Sequence, residues 1–378
     1  MLFVTPSEKD TAYMRQALEL AKSVLFLTDP NPRVGCVIVK DDQVIGRGAT
    51  QKVGGAHAEI MAIQDALSRQ SSLEGSTFYV TLEPCSHYGR TPPCVDALLQ
   101  HRPARVVIAT LDPNPLVRGK GIAKLQQAGI EVVYPVLAEQ AMALNPGFMS
   151  RMGYCKVWTW TKLACTLDGK LALNNGESLW ITSPAAREDG QVWRARSSVV
   201  LTGIGTILRD NPLLNVRAFA TERQPVRAVI DGRLQMPLEA RLLNGEPILI
   251  FTYTENPDKE YALSQKGVQI VKLAKKGHHL DLKEVWQVLV EHGFNEVHVE
   301  AGARLNGALL EAGLIDEVLV YMAPKIMGPG QEMFASATLS SLEDIYYFEW
   351  IEQTRIGDDL RLRLLNTERW NALMKLVK

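Results

Sequence analysis

His57-Ala-Glu59, Pro84-Cys85 and Cys94 restrict this chain more than any other residues in it. One histidine and two cysteines can hold a single Zn²⁺, but only if the fold brings three distant positions to one point. Three protein ligands leave the fourth position of a tetrahedral zinc for water, which is the catalytic rather than the structural arrangement. Zinc brings the pKa of such a water from about 15.7 to roughly 7. Glu59 is not needed as a ligand, so its carboxylate is free to take a proton from the water and hand it to a departing amine. Together these are the parts of a hydrolytic deaminase acting on an amino-substituted pyrimidine or purine.

The common pattern in such enzymes is Pro-Cys-x-x-Cys. Here eight residues separate the cysteines, in Thr81-Leu-Glu-Pro-Cys-Ser-His-Tyr-Gly-Arg-Thr-Pro-Pro-Cys94. His87 lies inside that insert as a competing ligand. The bland alternative is a core histidine with two buried thiols or a disulfide. It requires the His-x-Glu and Pro-Cys halves to occur together by accident.

The chain has 378 residues, 46% hydrophobic and 22% charged, which is ordinary globular usage and long enough for two domains. Its five cysteines (Cys36, Cys85, Cys94, Cys155 and Cys165) are few and odd in number, which argues against a disulfide framework and for a reducing, cytoplasmic setting. Met1-Leu-Phe-Val is too short and uncharged for a secretory signal. No apolar run approaches the roughly 20 residues of a membrane span. A net charge of −1 provides no basic field for nucleic acid.

The first half reads as alternating helices and strands of a layered α/β unit. Ser7 with Asp10 caps a helix carrying Met14, Ala17, Leu18, Ala21 and Leu25. Strands are expected over 34–39, 78–82, 105–110 and 130–134, and Asp41-Asp42 turns the first back into Val44-Ile45. Helices are expected over 57–67, 95–99, 122–128 and 138–144. His57 and Glu59 then stand at a helix start. Both cysteines also fall near helix starts, where the dipole favours thiolate.

Asn31-Pro-Arg-Val-Gly-Cys-Val-Ile-Val39, His57-Ala-Glu59, the Thr81 to Cys94 run and Leu111-Asp-Pro-Asn-Pro115 resemble the deaminase half of the bifunctional riboflavin-biosynthesis deaminase/reductases. The long cysteine insert belongs to that family's pattern. The resemblance implies a cytidine-deaminase-like zinc fold. It implies as substrate 2,5-diamino-6-(5-phosphoribosylamino)pyrimidin-4-one, losing its 2-amine as ammonia. It marks Asn31 as a substrate contact; otherwise Asn31 is a turn residue before Pro32.

The second half has no Gly-x-Gly-x-x-Gly after a strand, so the usual dinucleotide fingerprint is missing. It has expected strands over 157–163, 199–202 and 296–300. The last two run into Gly203-Ile-Gly-Thr206 and Ala301-Gly302-Ala303, the latter followed by a helix over 305–310. A strand, a glycine turn and a helix start form a general phosphate cradle, although Gly203-x-Gly by itself reads as a plain turn. Lys162-Leu-Ala-Cys-Thr-Leu-Asp-Gly-Lys170, Trp180-Ile-Thr-Ser183, Leu208-Arg-Asp-Asn-Pro212 with Arg217, and Glu300-Ala-Gly302 with Asp316-Glu317 and Ala323-Pro324 are similar to the same family's reductase half. Asn211, Ser197-Ser198, Gly190 and Pro146 depart from that pattern.

This resemblance implies a dihydrofolate-reductase-like domain that uses NADPH. It marks Ala164, Trp180, Thr206, Asp210 and the run Gly302, Ala303, Arg304, Leu305, Asn306, Gly307 and Ala308 as cofactor contacts. It marks Ser178, Arg194, Leu214, Arg217 and Glu300 as substrate contacts. Arg194 and Arg217 suit the ribose phosphate, which guanidinium grips in a bidentate fork. Arg233, in the turn Asp231-Gly232-Arg233, is the candidate for the cofactor's 2′-phosphate. Asp210 and Glu300 are the candidate proton donors of the reduction.

The expected domains are residues 1–150 for the zinc-dependent deaminase and 151–378 for the reductase, with Asn145-Pro-Gly147 breaking the pattern and the boundary at 149–154. A dimer through the reductase domain follows from family analogy alone. Two other readings share the zinc set. One is a deaminase of nucleic acid or nucleosides; the other is a zinc-stabilised binding module without turnover, against which Glu59 speaks.

Overall fold

The computed structural model describes residues 5–88, 92–178, 180–245 and 247–377. The first four residues, positions 89–91 of the cysteine insert and Leu179 lie outside the described residues. The chain forms two compact units, divided after Cys155, with the stretch from Asn371 onward belonging to the first.

The first unit comprises α1 (Glu8–Ser23), β1 (Gly35–Lys40), β2 (Gln43–Ala49), α2 (Ala58–Ser68), β3 (Thr77–Val80), α3 (Cys94–His101), β4 (Arg105–Ile108), α4 (Lys120–Gln127), β5 (Glu131–Val133), α5 (Ala138–Leu144) and α6 (Pro146–Tyr154). Its sheet runs β2-β1-β3-β4-β5, parallel from β3 to β5, with β1 antiparallel to both neighbours. Ser7 and Asp10 form a reciprocal capping box at α1. Asp41 and Asp42 both take left-handed φ, which makes the tight turn from β1 to β2. Met14, Ala17 and Leu18 of α1 pack on Val37, Tyr79, Val107 and Val133 of the sheet.

Gly48 decides how α2 lies. A Cβ at this position would come within 2.3 Å of the Ala58 carbonyl oxygen, so only glycine lets the start of α2 rest on β2.

Asn145-Pro-Gly147 breaks the helical pattern as expected, but the next residues are not a linker. Pro146 sits at the first position of α6, where a missing N–H costs nothing, and residues 146–150 are buried. The two compact units divide between Cys155 and Lys156, next to the expected 149–154 stretch.

The second unit contains β6 (Trp158–Thr166), β7 (Lys170–Leu173), α7 (Pro184–Arg196), β8 (Val199–Gly203), α8 (Ile204–Asp210), β9 (Val226–Ile230), β10 (Ile248–Thr252), α9 (Pro257–Ser264), β11 (Val268–Lys272), a short ribbon of β12 (Lys275–Lys276) and β13 (His279–Leu280), α10 (Leu282–Glu291), β14 (Glu296–Val299), α11 (Ala303–Glu311), β15 (Glu317–Ala323), β16 (Gly330–Glu332), β17 (Glu349–Ile356) and β18 (Asp359–Leu365). Its large sheet runs β11-β10-β9-β8-β14-β6-β15-β18-β17. The strands are parallel from β11 to β15, and β18 and β17 are antiparallel additions at one edge. Buried on both faces, β8 and β10 read as nearly continuous apolar or small runs, as parallel strands do, whereas β14 alternates Val297 and Val299 with Glu296 and His298.

The last helix, α12 (Thr367–Val377), begins in the second unit and ends in the first, where the Tyr154 hydroxyl donates to the Ala372 carbonyl at 2.6 Å and the Tyr134 hydroxyl donates to that of Val377.

Candidate active sites

His57, Cys85 and Cys94 converge. His57 is the N-cap of α2 and Cys94 is the first residue of α3. Cys85 lies in the segment that leaves β3. His57 Nδ1 stands 3.3 Å from Cys94 Sγ and 3.6 Å from Cys85 Sγ, and all three donor atoms lie within 4.8 Å of one another. A tetrahedral zinc with ordinary bond lengths sets its N···S and S···S edges at roughly 3.5–3.8 Å. The two N···S distances therefore lie within a few tenths of an ångström of what the ion needs. His87 is not in this cluster; its Nδ1 is buried and finds no partner among the described residues.

The electrostatics are those of a cation site. The Cys85 thiol is pulled down to about 4, first by a hydrogen bond from Cys94, against the cost of burial. Cys94 also donates its backbone N–H to Cys85 Sγ at 3.3 Å. Cys94 itself is pushed up, chiefly because it shares its proton with Cys85. A zinc ion removes that proton outright. Glu59, buried on the first turn of α2, is raised to about 7 by burial, with the neighbouring Cys85 charge adding to it. A carboxyl near neutrality can both accept and return a proton.

Glu83 was not singled out by its sequence. Its buried carboxylate accepts backbone N–H groups from Asp112 (3.3 Å), Gly119 (2.9 Å), Gly121 (3.0 Å) and Ile122 (3.3 Å). The Asp112-to-Asn114 turn and the start of α4 are thereby tied to the segment carrying Cys85. A Cβ at Gly121 would meet the Pro84 carbonyl oxygen at 2.4 Å, so this approach also requires glycine. Asn31 lies half-buried in the turn after α1, its backbone closed on Thr28, and Gly35 a few residues on accepts from and donates to Thr81 at 3.1 and 3.0 Å.

In the second unit, the candidate residues gather at the carboxyl ends of the parallel strands, where open α/β sheets bind their ligands. Ala164 is on β6, Glu300 follows β14, and Gly203 ends β8. The start of α11, at Gly302, has no side-chain cap, so its first N–H groups are left for an anion. Asn306 and Gly307 face the protein instead. The Asn306 amide donates to Ala301 O at 3.1 Å, and a Cβ at Gly307 would meet Ala335 O at 2.1 Å. Trp180 is 64% exposed, with the Arg187 guanidinium stacked 4.3 Å from its ring centroid. Thr206 is in α8, whose last residue, Asp210, has its pKa raised by burial. Asn211, where the sequence departs from pattern, is the left-handed cap of α8 and accepts the Arg241 N–H at 2.8 Å, a conformation asparagine tolerates. Ser178 is half-buried in the loop after β7.

Two expectations change. Arg194 does not present its fork to solvent. Its Nε and Nη2 grip Glu300 at 2.5 and 2.9 Å, and Nη1 donates to Asn215 O at 2.9 Å, which uses three of its five donors. Leu214 is in the left-handed region with its side chain buried in the core, so any contact it makes with a ligand runs through its backbone. Arg217 is exposed, and its backbone N–H donates to Gln191 at 2.6 Å. Glu300 resists burial because the Arg194 fork holds its carboxyl well below the usual range. It is therefore an acceptor rather than an acid. Lys162, at the middle of β6, is lowered by burial and has Glu300 as its nearest favourable charge. A lysine inside a buried strand with no other charged residue was the signal for it.

The first unit thus has the donor set and buried carboxylate of a zinc-dependent hydrolytic deaminase, and the second the open parallel sheet and anion-ready helix start of a nucleotide-cofactor enzyme. Residues 7–110 match the cytidine and deoxycytidylate deaminase zinc-binding region, and residues 157–369 match the RibD C-terminal domain. The riboflavin biosynthesis protein RibD of Aquifex aeolicus is 42% identical over 355 residues, covering 93% of this chain and 97% of that protein. The structure of Acinetobacter baumannii RibD, form 1, has a TM-score of 0.87 at 41% identity, covering 95% of this chain and 99% of its own. The Thermotoga maritima diaminohydroxyphosphoribosylaminopyrimidine deaminase/5-amino-6-(5-phosphoribosylamino)uracil reductase has a TM-score of 0.84 at 33% identity, with 94% and 98% covered. The chain belongs to the RibD family of bifunctional deaminase/reductases in riboflavin biosynthesis. The zinc site is that of the deaminase domain, and the reductase domain of this family uses NADPH.

Proposed function

We propose that the first unit removes the 2-amine of 2,5-diamino-6-(5-phosphoribosylamino)pyrimidin-4-one as ammonia, and that the second reduces the ribosyl chain of 5-amino-6-(5-phosphoribosylamino)uracil to ribityl. The observation that carries the first step is the three-donor cluster with buried Glu59 beside it. Zinc held by His57, Cys85 and Cys94 supplies the Lewis acidity that makes water a nucleophile at neutral pH. Glu59 takes a proton from that water and delivers it to the leaving amine. Asn31 contributes a substrate contact.

In the second unit, NADPH supplies the hydride received at C1′ of the opened ribose. The uncapped first turn at Gly302, Ala303, Arg304 and Leu305 suits its pyrophosphate. Ala164, Trp180, Thr206 and Asp210 are the further candidate cofactor contacts, and Arg233, exposed after β9, is the candidate for the 2′-phosphate. Arg217 binds the substrate phosphate, and Glu300, fixed by Arg194, accepts ribose hydroxyls. Asp210 and Lys162 Nζ are the candidate proton donors of the reduction. Burial raises the first and lowers the second.

Leu342, Ile345, Tyr347, Trp350 and Ile351 are exposed on and before β17, the edge strand of the large sheet. This supports a dimer through the reductase unit, since an exposed apolar edge strand is a template for pairing with another chain. Trp350→Lys should release monomers in sedimentation. No helix among the described residues is long and apolar enough to cross a membrane, and the five free cysteines suit a cytoplasmic setting. A coupled assay that follows ammonia release and then NADPH consumption tests the function; ammonia from tRNA but not from the free aminopyrimidine phosphate would favour a nucleic-acid deaminase.

A further inference from the structure

Residues 296, 298 and 300 share one face of β14 and its extension, while Val297 and Val299 enter the core on the other. The acidic members of that face are paired with α7, Glu296 with Arg196 and Glu300 with Arg194. Between them stands His298, fully buried, opposite Trp160 on β6 and Val200 on β8. A histidine in this place is costly, because a buried polar ring needs partners. Its Nε2 lies 3.3 Å from Glu300 Oε1, within reach of a donor, yet neither ring nitrogen has a fully formed hydrogen bond among the described residues. Such contacts at active sites are often long before the ligand arrives and tighten afterwards.

Burial holds the imidazole below its usual pKa against the charge of Glu300, with Arg194 and Lys162 also disfavouring a proton, so the ring is neutral. A neutral ring facing a carboxylate presents N–H at that nitrogen. Glu300 Oε1 then has Arg194 Nε and His298 Nε2 beside it, whereas Oε2 has Arg194 Nη2 alone. The oxygen with capacity to spare is Oε2.

We propose that His298 is a positioning residue of the reductase: its Nε2–H holds Oε1 and so orients the Glu300 carboxylate that receives the substrate's ribose hydroxyls. The inference rests on the reading of Glu300 as a substrate contact. It explains why an expensive buried histidine sits where a leucine would pack without cost.

The test is His298→Leu against His298→Gln in the full-length enzyme, with Glu300→Gln as the reference. His298→Leu should keep or raise Tm and leave the KM for NADPH and ammonia release unchanged. It should raise the KM for the aminouracil phosphate about ten- to a hundredfold, the scale of one hydrogen bond to a charged group. His298→Gln, whose amide N–H reaches the place of Nε2, should restore most of that loss. A wild-type KM in His298→Leu, or no recovery in His298→Gln, overturns the proposal. Wild-type reduction by Glu300→Gln overturns the substrate reading beneath it instead. If His298→Leu does not fold, histidine ¹⁵N spectra of the wild-type enzyme decide: the Nε2–H tautomer supports the proposal, and the Nδ1–H tautomer overturns it.

Discussion

The carboxylate of Glu83 accepts the backbone N–H of Gly121 at 3.0 Å across thirty-eight residues of chain. This bond and those from Gly119 and Ile122 fasten the start of α4, and that from Asp112 the turn before it, to the segment that carries Cys85, so the second zinc ligand is held from behind. Glu83→Gln keeps the shape but loses the charge that four N–H groups share. The expected cost is about 2 kcal/mol of stability, together with faster loss of zinc to a chelator. Urea midpoints and chelator kinetics measure both; unchanged zinc retention would confine Glu83 to a structural role.

Purified protein should contain about one zinc per chain, and Cys85→Ser or Cys94→Ser should lose both metal and ammonia release. Metal analysis beside the assay checks this. Full zinc and full activity in Cys85→Ser would remove the cluster from the mechanism.

Glu59→Gln should slow ammonia release by about 10²–10⁴-fold while zinc stays bound, because the residue moves protons and is not a ligand. Given the already deaminated ribosylaminouracil phosphate, the same variant should oxidise NADPH normally. Loss of that oxidation in folded protein would mean that the two activities share one site.

Arg217→Ala should release ammonia like the wild type and reduce poorly, with the defect in KM rather than kcat. A phosphate contact present in ground and transition states alike supplies uniform binding. A kcat defect at unchanged KM would argue for a role in the chemistry itself.

Acid should weaken the first unit through Asp10. Burial alone would raise this carboxyl, but the Arg105 fork and Ser7 outweigh it and bring it down to about 2. A lowered folded pKa means stabilisation that is complete above the unfolded value near 4 and lost as pH falls toward 2. The contribution is on the order of 1–2 kcal/mol. Unfolding followed from pH 5 to 2 should be flatter in Asp10→Asn; an identical slope would show that Asp10 contributes nothing to it.

The zinc ligands and Glu59 were legible because the chemistry demands particular residue types in a particular order. The elements around them were legible because their apolar spacing is local. α2 begins one residue after its expected start at His57, β4 falls within its expected run, and β1 and β3 overlap theirs, β1 ending one residue later and β3 starting one residue earlier. α6 was missed because Asn145-Pro-Gly147 signals a break but not that Pro146 also opens a new helix. Arg194 and Arg217 are both arginines beside Glu300 in effect, and nothing in their spacing says which one Glu300 captures.

By itself, then, the sequence determined the metal, the two kinds of domain and the family, since these rest on residue identity and short-range pattern. Only the tertiary structure decided that Arg194 serves Glu300, that Leu214 is buried, that Glu83 gathers four amides, that His298 stands behind Glu300 and that the chain after Asn371 returns to the first unit. A side chain's partner is chosen by whichever distant residue the packed backbone brings within about 3 Å of it, and that distance is not a property of either residue alone.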